Sequence, residues 1–279
     1  MCLFGVTPRG HGMAGICAET TDLFAGVDAI VNARLGVVNY RTKTATKTLV
    51  ARAPGALDGE GLVETLFETI RANWYRALPS AKASHQNFRW RYPQLTLAQQ
   101  NTSPEVTLER AFIRACEDAN RSDWSNQVPI ISGVIGPRAY KRRAIDLVRC
   151  LPEGSFEFVE LKITSDTPVY ATIEILLYGL LWLLSRECRT QLGYLPNPIL
   201  DTPTLQLSTL APVGFYTGLL PSGFANAVDR GISALGRQHG VTMGFRPMAF
   251  PRDFSWPLCS GQAEMFHWFD DWTPATQCA

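Results

Sequence analysis

Histidine is scarce in this 279-residue chain, and neither sign of charge is in excess. The four histidines, His11, His85, His239 and His267, are dispersed and offer neither zinc spacing nor a ββα-metal nuclease pattern. The seven cysteines, Cys2, Cys17, Cys116, Cys150, Cys188, Cys259 and Cys278, form no Cys-x-x-Cys pair. Their odd number, with no secretory leader expected before Ala18, fits reduced thiols and a cytoplasmic location. Lys and Arg number 26 against 25 Asp and Glu, a formal charge of +1, so any nucleic-acid contact must come from a local basic patch. No Gly-x-x-x-x-Gly-Lys-Ser/Thr loop and no Gly-x-Ser-x-Gly elbow occurs, which sets aside P-loop and serine-hydrolase chemistry. There is no internal repeat. The apolar stretch from Tyr170 to Leu184 is short for a membrane span and carries Glu174, so it reads as a buried core helix and no membrane partner is expected.

What remains is an ordinary globular composition, 46% apolar and 18% charged, long enough for one large domain or a domain with an accessory part. Alternation at Ile30–Val31, Val37–Tyr40 and Thr46–Ala51 suggests strands, with Arg41–Lys47 as a solvated hairpin loop or a nucleic-acid contact. Leu62, Leu66, Ile70 and Trp74 give a helix over Gly59–Leu78. Phe88, Arg89, Trp90, Arg91 and Tyr92 read as strand residues or as a base-stacking, phosphate-binding run. Ser103-Pro104 and Thr167-Pro168 each place a cap before a proline at the first helical position. The first of these helices carries the stripe Leu108, Phe112 and Cys116, with Glu105 and Glu109 on another face, Glu105 as a first-turn acid that the helix dipole favours; the second carries Tyr170, Glu174 and Tyr178 four apart. A buried Glu174 must be paired, near a metal, or protonated. Further strands are expected over Thr204–Pro212 and Val241–Phe250, with a helix over Pro221–Gln238 between them.

The informative stretch is a hairpin. Arg142–Cys150 and Phe156–Ile163 both alternate with period two around a Leu-Pro-Glu-Gly-Ser turn. With Cys150 opposite Phe156, Asp146 faces Glu160, their Cβ atoms about 5 Å apart. Opposed carboxylates repel, and a divalent cation such as Mg or Mn resolves the repulsion. Lys162, on the same face as Glu160, adds a positive charge beside it. Gln127 stands just before a strand leading to the hairpin, a loop residue or a polar side chain that reaches the site, and Arg138, Lys141, Arg142 and Arg143 at the mouth of the hairpin form the densest basic run, a solvated face or a set of phosphate contacts.

Asp146 followed by Glu160-Leu161-Lys162 resembles the signature of the PD-(D/E)xK nuclease superfamily, and the order helix, strands, helix, strand over roughly residues 100 to 212 resembles its core. The resemblance implies an α/β/α sandwich around a mixed sheet of the restriction-endonuclease-like type. It implies Asp146 and Glu160 as ligands of Mg or Mn, joined by Glu109 from the preceding helix, with Lys162 orienting or deprotonating a water or neutralising developing charge. The expected organisation is an accessory region of strands and a helix over 1–85, a nuclease-like core over 86–255 and an aromatic, acidic tail over 256–279, which packs back or meets a partner protein or a second copy. The expected activity is phosphodiester hydrolysis, on DNA before RNA; the alternative is an inactive nucleic-acid-binding or protein-interaction module on the same fold. Glu174, Tyr178 and Gln127 are the expected supporting residues.

Overall fold

The turn at Leu151–Ser155 closes on its own backbone: the Leu151 N–H donates to the Ser155 carbonyl at 2.8 Å and the Gly154 N–H to the Leu151 carbonyl at 2.9 Å. Gly154 takes a φ of 74°, which the absence of a Cβ permits. The strands it joins belong to a mixed α/β architecture with one six-stranded sheet, in a computed structural model that describes residues 22–52, 57–77, 83–90, 100–132, 134, 143–258 and 261–275. The strands are β1 (Trp124–Pro129), β2 (Ala144–Cys150), β3 (Phe156–Leu161), β4 (Thr204–Ala211), β5 (Thr242–Ala249) and β6 (Thr273–Pro274). The ten helices among the described residues are α1 (Val27–Leu35), α2 (Lys43–Val50), α3 (Gly59–Ala77), α4 (Pro104–Asp118), α5 (Pro168–Glu187), α6 (Arg189–Leu192), α7 (Pro198–Asp201), α8 (Val213–Tyr216), α9 (Phe224–Gln238) and α10 (Gln262–Asp270).

Spatial order follows chain order, β1 to β6. β1, β2 and β3 run antiparallel, and β4 and β5 continue parallel to β3 through the crossovers that contain α5 and α9. Cys150 pairs with Phe156 as the sequence register requires. One face of the sheet, with Phe156, Phe158, Leu205, Leu207, Met243 and Phe245, packs against α1, α3, α5 and α9. The other, with Leu147, Val159, Leu161, Leu210 and Met248, packs against Leu108, Phe112 and Cys116 of α4 and Met265, Trp268 and Phe269 of α10. Burying each such Leu, Met or Phe contributes about 1.5–3 kcal/mol. α5 is long and apolar enough to cross a membrane, and 89% of its apolar window is buried inside the protein. Both cap expectations hold: Ser103 Oγ accepts from the Val106 N–H and Thr167 Oγ1 from the Tyr170 N–H.

Three expectations change. The described part of the N-terminal region holds α1, α2 and α3 and no strand. Thr42, expected in a loop, caps α2 by accepting from the Ala45 N–H, and Thr46 and Thr48 return their hydroxyls to the carbonyls of Thr42 and Thr44. This back-bonding suits β-branched residues to a helix that their alternation does not suggest. Phe88 has a φ of 54° and lies in a turn, so 88–90 is no strand, while Arg91 and Tyr92 fall outside the described residues. The C-terminal aromatics pack back: Trp268 and Phe269 are fully buried, and β6 extends the sheet beside β5.

α3 and α9 meet at bare backbone. A Cβ on Gly231 would lie 2.3 Å from the Gly59 carbonyl oxygen, and one on Gly59 would lie 1.9 Å from that of Ala227. Gly231→Ala is therefore expected to destabilise the protein by about 1–3 kcal/mol, read as a lower midpoint in urea denaturation.

Candidate active site at the end of the hairpin

The β1–β2 ladder is interrupted at one residue, Gln127. Asn126 pairs with Leu147 and Val128 with Ile145, which places Gln127 beside Asp146. On the far side of β2, the register ending at Leu147 and Val159 carries on to Asp146 and Glu160, and Glu160 pairs in turn with Thr209. Gln127, Asp146, Glu160 and Thr209 thus form one row across four strands. Gln127 adopts a φ of 48°, left-handed backbone that costs an ordinary residue about 1–3 kcal/mol.

That backbone turn has a local consequence. In a regular strand Asn126 and Gln127 would point to opposite faces. Here both amides reach one carboxylate: Asn126 Nδ2 donates to Glu109 Oε1 at 2.6 Å and Gln127 Nε2 to Glu109 Oε2 at 2.7 Å. Glu109 comes from α4, whose apolar stripe fixes it against the sheet, and it is 2% exposed. Burial, then the charge of Asp146, push its pKa up to about 8 against the pull of the two amides.

Asp146 is partly exposed and accepts the Leu161 N–H through Oδ2 at 3.0 Å. Its dense surroundings push its pKa up to about 6, opposed by Lys162 and by that N–H. Glu160 is buried, and burial followed by the charges of Asp146 and Glu174 raises its pKa well above the carboxylate range.

One ammonium binds Glu160 and two further carboxylates. Lys162 Nζ lies 2.9 Å from Glu160 Oε1, 3.0 Å from Asp166 Oδ2 and 3.1 Å from Glu174 Oε2. Burial works against its charge, but Glu160, Glu174 and Asp146 outweigh burial and raise its pKa, so it is a fixed cation. The polar stripe of α5 converges on it from behind: the hydroxyls of Tyr170 and Tyr178 both donate to Glu174 Oε1, at 3.5 and 3.4 Å. Burial, then Glu160 and Glu174, raise the pKa of Tyr178 and keep it a donor.

Of the sequence-derived set, Glu109, Gln127, Asp146, Glu160, Lys162, Glu174 and Tyr178 come together at this place. Arg138, Lys141 and Arg142 lie outside the described residues; Arg143 stacks over the Phe24 ring at 4.6 Å. Sequence reasoning missed Asp166, whose signal was its position four residues after Lys162, and Asn126, next to the Gln127 it did single out. It gave Glu105 only the role of a first-turn acid. In fact Glu105 Oε1 accepts from the N–H groups of Ile163, Thr164 and Ser165 and from the Ser165 hydroxyl. Partial burial opposes its ionisation, and these donors hold its pKa below the usual range.

Among the described residues no three His, Cys, Asp or Glu side chains are already gathered into a metal-ligand cluster. Comparison with family models, with curated proteins and with solved structures finds no match.

The raised carboxylates tie stability to pH. Glu109 keeps its proton in the folded chain between its ordinary value of 4.5 and about 8, whereas the unfolded chain releases it, so this group removes stability as pH rises through that window. Asp146 acts the same way between 3.8 and about 6. Glu109→Gln, which mimics the protonated acid, is expected to flatten the fall in unfolding free energy between about pH 6 and 8, measured by denaturation across that range. An unchanged slope would mean that Glu109 is ionised in the folded protein.

Proposed function

We propose that this site hydrolyses phosphodiester bonds with a divalent metal, on DNA before RNA. The observation that carries the reading is the convergence of Asp146, Glu160 and Glu174 near Lys162, with Glu109 beside Asp146, at the open end of the β2–β3 hairpin, more carboxylates than one ammonium balances. The succession α4, β1, β2, β3, α5, β4, with the strands in spatial order, supports it by resembling the restriction-endonuclease-like core that carries the PD-(D/E)xK signature.

The donor set fits Mg or Mn: it is all carboxylate oxygen. Lys162 engages Glu160 through Oε1 and the Leu161 N–H engages Asp146 through Oδ2, which leaves Glu160 Oε2 and Asp146 Oδ1 for another ligand. Asp146 and Glu160 would hold the ion, with Glu109 joining from α4. Such an ion, when bound, supplies Lewis-acid stabilisation of the phosphoryl group and a water of lowered pKa. Lys162 stabilises the negative charge that builds on the phosphate oxygens; held cationic by its carboxylates, it is no base for the water. Gln127 and Asn126 orient Glu109, and Glu174 with Tyr170 and Tyr178 fixes the lysine. Arg143 is the phosphate contact at the mouth.

One observation favours the alternative of an inactive module on the same fold: three carboxylates already satisfy Lys162 without an ion. Incubating the protein with linear, circular and single-stranded DNA and with RNA, in Mg or Mn, separates the two. Cleavage that needs metal and falls about 100-fold or more in both Asp146→Ala and Lys162→Ala is the expected result. Mn is also expected to raise the melting temperature, more at pH 8 than at pH 6 because the ion must displace protons from the acids. Absence of cleavage together with absence of any Mn-dependent shift overturns the proposal.

A further inference from the structure

A second constellation sits on the helices that cover the first face of the sheet. Arg34 of α1, Arg52 just after α2 and Arg230 of α9 line one cavity with Leu35, Leu49 and Phe224. Its acid content is low. Arg52 donates to the Leu35 and Gly36 carbonyls at 2.5 and 2.8 Å, which fixes its guanidinium without neutralising it. Arg34 donates to Thr65 Oγ1 at 2.9 Å, and Asp58, 3.7 Å away and largely exposed, is the one carboxylate paired with it among the described residues. Arg230 makes no ion pair among the described residues; its neighbour Asp229 is spent on the Phe245 N–H at 2.8 Å. Gly223, which begins α9 at the same cavity, brings no side-chain acceptor to the helix end. Three arginines line one concavity with apolar walls, where an anion would join their like charges, and the planar fork of arginine matches phosphate oxygens.

We infer that this cavity is a phosphate-monoester site, taking the phosphate on Arg34, Arg52 and Arg230 and packing the organic part of its ligand on Leu35, Leu49 and Phe224. The dianion comes either from a free nucleotide or from the phosphorylated end of a nucleic-acid strand. α9 follows β4, so its first turn lies at the carboxyl end of the parallel strands, the end at which β3 delivers Glu160 and Lys162. Ligands of open α/β sheets collect at that edge. The inference stands independently of cleavage.

The test is calorimetric titration of the full chain in chelator, so that no hydrolysis occurs, with adenosine 5′-monophosphate, adenosine, inorganic phosphate, and a short oligothymidylate with and without a 5′-phosphate. At least one of the two monoesters is expected to bind with adenosine or the unphosphorylated strand at least 10-fold weaker, and the pair identifies the source. Arg34→Gln combined with Arg230→Gln, both exposed positions, is expected to lower that affinity at least 10-fold at an unchanged melting temperature. Asp146→Asn is expected to leave it unchanged. No phosphate-dependent binding, or binding indifferent to the arginine pair, overturns the inference. Loss of binding in Asp146→Asn also overturns it, because the ligand would then occupy the acidic site.

Discussion

A lysine withdrawn from water must be paired, and the pairing of Lys162 sets the rest of the site in place. Desolvating an ammonium costs several kcal/mol unless well-placed acceptors compensate. Three carboxylates do so here, each from a different segment: Glu160 from β3, Asp166 from the loop that follows, and Glu174 from α5. The sequence separation of these acids is small, yet their convergence requires β3 to end, the chain to reverse and α5 to begin at one geometry. Glu105 supplies that reversal from α4 by taking three consecutive backbone N–H groups, and Asp166 completes it with a φ of 65°. The helix on one face of the sheet thereby shapes the loop that positions an ion pair on the other.

The same logic governs the break in the β1–β2 ladder. Holding Gln127 in left-handed backbone costs energy that β pairing alone would never select, and two amide contacts to a buried carboxylate accompany it. A buried acid with a raised pKa costs stability as well. Strain at Gln127 and the raised pKa of Glu109 thus meet at one row of the sheet, while the apolar contacts around it are ordinary, and this pattern is what motivates the proposed chemistry.

Much of this was legible because it is local. Alternation fixed the hairpin, its turn fixed the register, and register alone put Asp146 beside Glu160. Ser103-Pro104 and Thr167-Pro168 marked two helix starts to the residue. Local pattern misled where β-branched residues alternate inside α2, since threonines that return hydrogen bonds to their own helix carry the same signature as a strand. What could not be read were contacts made at a distance: Glu105 looked like a dipole partner because its real acceptor role is with residues some 60 positions on. Asn126 looked like an ordinary strand residue because its use depends on a backbone torsion next door.

The N-terminal helices extend the argument beyond the sheet. Asp28 of α1 holds Arg41 at 2.7 Å and accepts the Tyr40 hydroxyl at 3.0 Å. Arg41 in turn stacks over the ring of Tyr170 at 5.1 Å, the ring that Lys162 approaches from its other neighbours at 5.8 Å. The Asp28–Arg41 pair is about half exposed and contributes at most about 1 kcal/mol on its own. Its value is geometric. Two cations, one exposed and one buried, are set against a single aromatic ring whose hydroxyl touches Glu174, so the position of α1 is linked through Tyr170 to the carboxylates around Lys162. The segment between the first two helices thereby packs, through Arg41 and Tyr170, against the candidate site.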